Sequence, residues 1–217
     1  MLPMAFGTTG SGPLTLLCLG AHSDDLEIGC GGTVLRLLSE RPGSSVHWIV
    51  FSATPERETE ARASAADFLA QAGERRVVVK SFKESYFPYV ATSIKDFFEE
   101  LKQSVQPDLV FCHRRLDMHQ DHRLVAELAW NTFRNHSVLE FEIPKYEGDL
   151  GHPNLFVPLS RSVADLKVEL ILRHFASQAN RAWFRPDTFH GLMSVRAVEC
   201  NASEGRAEAF YAPKLIV

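Results

Sequence analysis

Apolar positions along this chain alternate between short continuous runs and stripes at helical spacing. Leu14 to Leu19 is an almost unbroken apolar run ending at Gly20-Ala21, as a strand buried on both faces requires. Thr33 to Leu38 then reads as a helix with a wide apolar face, stopped by Arg41-Pro42-Gly43. Val46 to Phe51 predicts a second strand, and Glu56 to Ala72 a helix closed by Gly73. The alternation continues with a strand at Arg76 to Lys80, a helix at Ser93 to Val105, a strand at Asp108 to Cys112, a helix at Asp121 to Phe133 and a strand at Leu139 to Ile143. Pro144 to Pro158 reads as a loop and Val163 to Gln178 as a helix. The tail from Leu192 predicts short strands and one acidic helical turn near Glu208.

Strand and helix thus alternate at the spacing of βαβ units. This predicts an α/β fold with a largely parallel sheet and helices on both faces, three layers in all. The length of 217 residues and the absence of any linker fit one domain over residues 14–217, after a flexible leader at residues 1–13. An apolar fraction of 45% and a charged fraction of 23% exclude disorder and a coiled coil. The net charge of −4 gives no sequence-independent grip on phosphate backbones, so no nucleic-acid partner is expected. No run approaches the roughly 18 apolar residues of a spanning helix. The four cysteines form no C-x-x-C pair and read as buried hydrophobes in a reducing compartment, hence a cytoplasmic protein.

In such folds ligands bind beyond the carboxyl ends of the strands. After the first strand comes Ala21-His-Ser-Asp-Asp-Leu-Glu27, with Gly29-Cys-Gly-Gly32 behind it. After the fourth comes His113, then Asp117-Met-His-Gln-Asp-His122. Neighbouring carboxylates repel, and a divalent cation removes the repulsion. A helix cap made by Asp24 or Asp25, or by Asp121, explains either cluster alone equally well. Two such clusters at one sheet edge favour a shared metal site. Imidazole and carboxylate without thiolate suit zinc, and also iron, cobalt or manganese. The glycines do not form G-x-G-x-x-G and follow an acidic cluster, which argues against dinucleotide binding.

These segments resemble the motifs of the PIG-L/LmbE-like zinc deacetylases. Ala21 to Glu27 with Gly31-Gly-Thr33 is similar to A-H-P-D-D-E followed by G-G-T, and His119 to His122 to H-x-D-H. Arg57, Glu60, Ser64 and Ala65 resemble R-x-x-E-x-x-x-A-A; Ser177-Gln178 resembles the end of H-x-S-Q, and Ala207 to Phe210 the terminal A-E-A-F. The resemblance implies a Rossmann-like LmbE fold and removal of an N-acetyl group from an N-acetylglucosamine-type conjugate. It implies zinc, or another divalent ion such as ferrous iron, held by His22, Asp25 and His122. Asp24 would be the general base, and His119 would stabilise the oxyanion or protonate the amine, oriented by Asp121. Arg57 and Asp117 would contact substrate. Arg206 stands where many relatives have tyrosine, which points to a negatively charged substrate. A homo-oligomer, trimer or hexamer, is implied as well. Ser23 and Leu26 depart from the motif without removing a ligand. Two other readings compete. One is a two-metal phosphoesterase recruiting Glu27, His113 and Asp117; the other is a non-catalytic binding member.

Overall fold

The computed structural model describes residues 12–214, so most of the leader expected at residues 1–13 lies outside the described residues. Seven strands form one sheet: β1 (Thr15–Gly20), β2 (Ser45–Val50), β3 (Glu74–Val79), β4 (Leu109–His113), β5 (Ser137–Phe141), β6 (Leu155–Pro158) and β7 (Ala207–Tyr211). Their order is β3-β2-β1-β4-β5-β7-β6. The first five run parallel, and β7 is antiparallel to both its neighbours. Six α-helices cover the sheet: α1 (Asp25–Glu40), α2 (Pro55–Phe68), α3 (Ala91–Ser104), α4 (Gln120–Thr132), α5 (Arg161–His174) and α6 (Pro186–Cys200).

Strand β1 shows why its run is continuous. Leu16 and Cys18 pack under α1 and α5, while Leu17 and Leu19 pack under α3 and α4 on the opposite face. Winding proceeds from β1 to β3 on one side and resumes at β4 on the other. The ends of β1 and β4 therefore border a crevice where loops from both halves meet.

Helix α1 begins at Asp25, eight residues before the helix expected from Thr33. Glycine costs ~1 kcal/mol in a helix interior, so Gly29, Gly31 and Gly32 read as loop. They are contact points instead. A Cβ on Gly29 would lie 2.3 Å from Cδ2 of Phe141, and one on Gly31 2.6 Å from Cε1 of Phe68. Gly29→Ala is accordingly expected to cost about 1–3 kcal/mol, as overpacking does. At this chain length that lowers Tm by several degrees. An unchanged Tm in calorimetry would show that α1 and β5 are not in register as described.

The tail also differs from expectation. The helix α6 reaches Cys200, and Glu208 lies in strand β7, not in a helical turn. The pattern misleads because Val195 and Val198 of α6 are 55% and 82% exposed, while its buried face uses small residues such as Ala197 and Cys200. Strand β6 likewise lies within the expected loop. The carboxylate of Glu208 accepts the N–H groups of Gly32 (2.8 Å) and Thr33 (2.6 Å) and pairs with Nζ of Lys167 at 2.6 Å. A Cβ at Gly32 would stand 2.9 Å from that carboxylate. The G-G-T and A-E-A-F motifs are thus two halves of one contact that seats α1. Glu60 makes a second such pairing, accepting the N–H and Oγ–H of Ser177 at 2.8 and 2.6 Å.

Candidate metal centre and active site

The turn after β1 carries His22, Ser23 and Asp24 into α1, and the loop after β4 carries Asp117 to His119 into α4. Neither expected cap exists. Asp24 occupies the N-cap of α1 without a capping hydrogen bond. His119, not Asp121, caps α4, its Nδ1 accepting the Asp121 N–H at 3.3 Å. The Asp24 carboxylate is therefore not used as a helix cap.

Three donor atoms form a tight triangle. Nδ1 of His22 lies 3.1 Å from Nε2 of His122 and 3.3 Å from Oδ2 of Asp25, and the third edge, Nε2 of His122 to Oδ2 of Asp25, is 3.5 Å. Ligands at ~2.0–2.1 Å in a tetrahedron around zinc stand about 3.3 Å apart. The donor set fits such an ion. Both imidazoles are held from behind by carboxylates. His22 donates through Nε2 to Asp121 (3.2 Å), and His122 through Nδ1 to Asp117 (3.0 Å). This backing fixes which nitrogen faces the triangle.

The electrostatics agree. Burial opposes charge on Asp25, but His122, His113 and His22 hold its carboxyl well below the usual range. Burial also opposes charge on His22, yet Asp25 and Asp121 carry its pKa up to about 10. His122 is pushed down to about 3 by burial and by His113. The pocket thus demands positive charge at one point, which a divalent cation supplies.

Asp24 stands beside this triangle in sequence, buried, with Nη2 of Arg57 at 2.9 Å from its Oδ1. The contact is a charge pair that lies off the line of a hydrogen bond, and Arg57 Nε is buried without a hydrogen-bond partner. Burial raises the Asp24 pKa; Arg57 opposes the shift and Asp25 adds to it. The ring of His119 lies 4.9 Å from that of His22 and 4.6 Å from that of His122. His22, His119 and His122 each place a donor atom within 4.8 Å of the others, as do Asp25, His113 and His122.

Three of the expected residues make contacts that their spacing did not indicate. Asp117 is buried, and its carboxylate is engaged by His122, Lys145 and the His119 N–H. The carboxylate of Asp121 meets His22 and the N–H groups of Ser85 (2.6 Å) and Phe87 (3.1 Å), not the His119 ring. Arg206 donates to Ser194 Oγ and Gly205 O, on the α6 side of the sheet. Its backbone, just before β7, accepts the Leu159 N–H at 2.9 Å, and its side chain contacts none of the clustered histidines and carboxylates.

From sequence His113 entered only the two-metal alternative, and Lys145 and Asp149 were assigned no role. His113 is fully buried; its Nε2 accepts the Ala21 N–H at 2.9 Å and lies 3.1 Å from Asp25, and its ring stacks on His122 at 3.8 Å. Its place at the end of an apolar strand was the available signal. Lys145 and Asp149 carried none, since their loop meets Asp117 only through the tertiary fold.

A family model described as GlcNAc-PI de-N-acetylase, PIG-L, matches residues 17–133, more than half of the chain and all of the residues around the triangle. No curated protein sequence matches. Among solved structures, the conserved protein TT1542 from Thermus thermophilus has a TM-score of 0.75 at 20% identity, over 94% of this chain and 96% of that one. GalB, the 4-carboxy-2-hydroxymuconate hydratase of Pseudomonas putida KT2440, gives 0.74 at 20% identity, over 94% and 98%. The N,N'-diacetylchitobiose deacetylase of Pyrococcus horikoshii gives 0.68 at 19% identity, over 90% and 82%. These likenesses confirm the LmbE-like fold expected above. With its motifs and its fold in agreement, the chain belongs to the PIG-L family.

Proposed function

We propose that this protein is a metal-dependent amide hydrolase that removes the N-acetyl group from an N-acetylglucosamine-type sugar or conjugate. The observation that carries the reading is the triangle of donor atoms from His22, Asp25 and His122 beside an uncapped, buried Asp24. Zinc, or ferrous iron in its place, would be held by those three residues. When bound it would supply a Lewis acid for the amide oxygen and acidify water.

The chain's own groups account for the rest. Asp24 takes the proton of the attacking water; burial raises its affinity for that proton, and the Arg57 guanidinium at 2.9 Å opposes the rise. His119 accepts a backbone N–H at Nδ1, so its neutral ring carries a proton on Nε2. Burial and the nearby His22 lower its pKa, which suits a neutral donor to the oxyanion. The proton collected by Asp24 then goes to the departing amine, leaving acetate and a free amino sugar.

The deacetylase structure from Pyrococcus supports this reading, since its fold is shared. The two-metal alternative loses support because Glu27 faces Ser64 at 2.7 Å and Asp117 is committed to His122. The hydratase GalB shares the fold too, so hydration of an unsaturated acid is the competing outcome. Cytoplasmic placement and a homo-oligomer, trimer or hexamer, belong to the same proposal. Among the described residues no helix is long and apolar enough to cross a membrane. The test is a panel of N-acetylglucosamine derivatives, free and nucleotide-, lipid- or thiol-linked, assayed for acetate and primary amine in equal amounts. Failure with all members, together with turnover of an unsaturated acid, would replace the reading.

A further inference from the structure

The loop after β5 reaches back to the metal-ligand loop through one side chain. Nζ of Lys145 lies 2.9 Å from Oδ2 of Asp117, the same oxygen that accepts the Nδ1–H of His122 at 3.0 Å. On its other side Lys145 meets Oδ1 of Asp149 at 2.7 Å. The second oxygen of Asp149 accepts the Met118 N–H at 2.6 Å, and the Asp149 carbonyl accepts Nη1 of Arg114 at 2.9 Å. Loop 145–149 is therefore tied on both sides of Asp117. The Lys145 side chain is only 12% exposed, so the contact is little screened.

From this geometry we propose that Lys145 is a positioning residue for the metal centre, acting through Asp117 on His122. The inference rests on the metal reading above. The Asp117 carboxylate is 2% exposed and faces an imidazole that donates only one proton. A second cationic donor on the same oxygen fixes that carboxylate in its rotamer. His122 then keeps its proton on Nδ1 and its lone pair on Nε2, toward Asp25 and His22. Asp149 holds the lysine in place and fastens the backbone on which Asp117 turns. Without Lys145, Asp117 can swing, and His122 loses its orientation.

Loss of a group that supports a metal ligand typically costs 10–100-fold in metal affinity. Lys145→Met is expected to weaken binding of zinc, or of cobalt as a spectroscopic probe, about 10-fold with the fold intact. Lys145→Arg restores most of it, because charge and donor remain. Asp149→Asn gives a smaller loss in the same direction, and Asp117→Asn a larger one. Titration calorimetry with zinc and the visible spectrum of the cobalt-loaded full chain read this directly. A purely structural lysine would lower Tm and leave metal affinity unchanged. Wild-type-like affinity in folded Lys145→Met overturns the proposal; if that variant does not fold, wild-type-like affinity in Asp149→Asn does so. A wild-type chain that binds no metal overturns the metal reading itself, and this inference with it.

Discussion

Alanine in place of His22 or His122 is expected to strip most of the bound metal and nearly all activity, while the fold survives. Each replacement removes one corner of the 3.1, 3.3 and 3.5 Å triangle. It also removes the imidazole partner of the carboxylate behind that corner, Asp121 or Asp117. The remaining two donors hold an ion far more weakly. The fold should persist because the two apolar layers on either face of the sheet contain neither histidine. Elemental analysis and circular dichroism on the same preparation check both halves. Full metal content in either variant would remove that residue from the ligand set, and the proximity of His113 to Asp25 makes it the first replacement to test.

Asp24→Asn is expected to separate chemistry from binding. The side chain is nearly isosteric, caps no helix and stands outside the triangle, so metal content should stay at the wild-type level. An amide cannot accept the proton of water. General-base contributions of ~10²–10⁴-fold are typical, and the loss should fall on kcat with KM little changed. Replacing the carboxylate also leaves Arg57 buried without its charge partner, so a modest drop in Tm is expected alongside. Loss of metal from this variant would mean that Asp24 is itself a ligand. A wild-type kcat would mean that another group takes the proton.

The parallel half of the sheet was legible in the sequence because its strands are buried on both faces and its connections carry helical stripes. The donor residues were legible because imidazole and carboxylate at one sheet edge have few other uses. What stayed hidden had physical reasons. Glycines chosen for close approach to Phe141 and Phe68 concealed the first turns of α1. Exposed valines blurred the face of α6. The partners of a motif residue are not visible in its spacing: Glu208, Glu60 and Asp117 each complete a contact with a distant segment. The Ser194 contact of Arg206 was equally invisible in the spacing.

If one metal ion held by His22, Asp25 and His122 is required for amide hydrolysis, acetate release from an N-acetylglucosamine conjugate should follow the metal content of the protein. Chelator-stripped protein titrated with zinc is expected to release no acetate at first, and then to do so at a rate that rises with added metal and saturates at one ion per chain. Acetate release that is indifferent to metal removal, or saturation only at two ions per chain, would rule out a single required ion at this site.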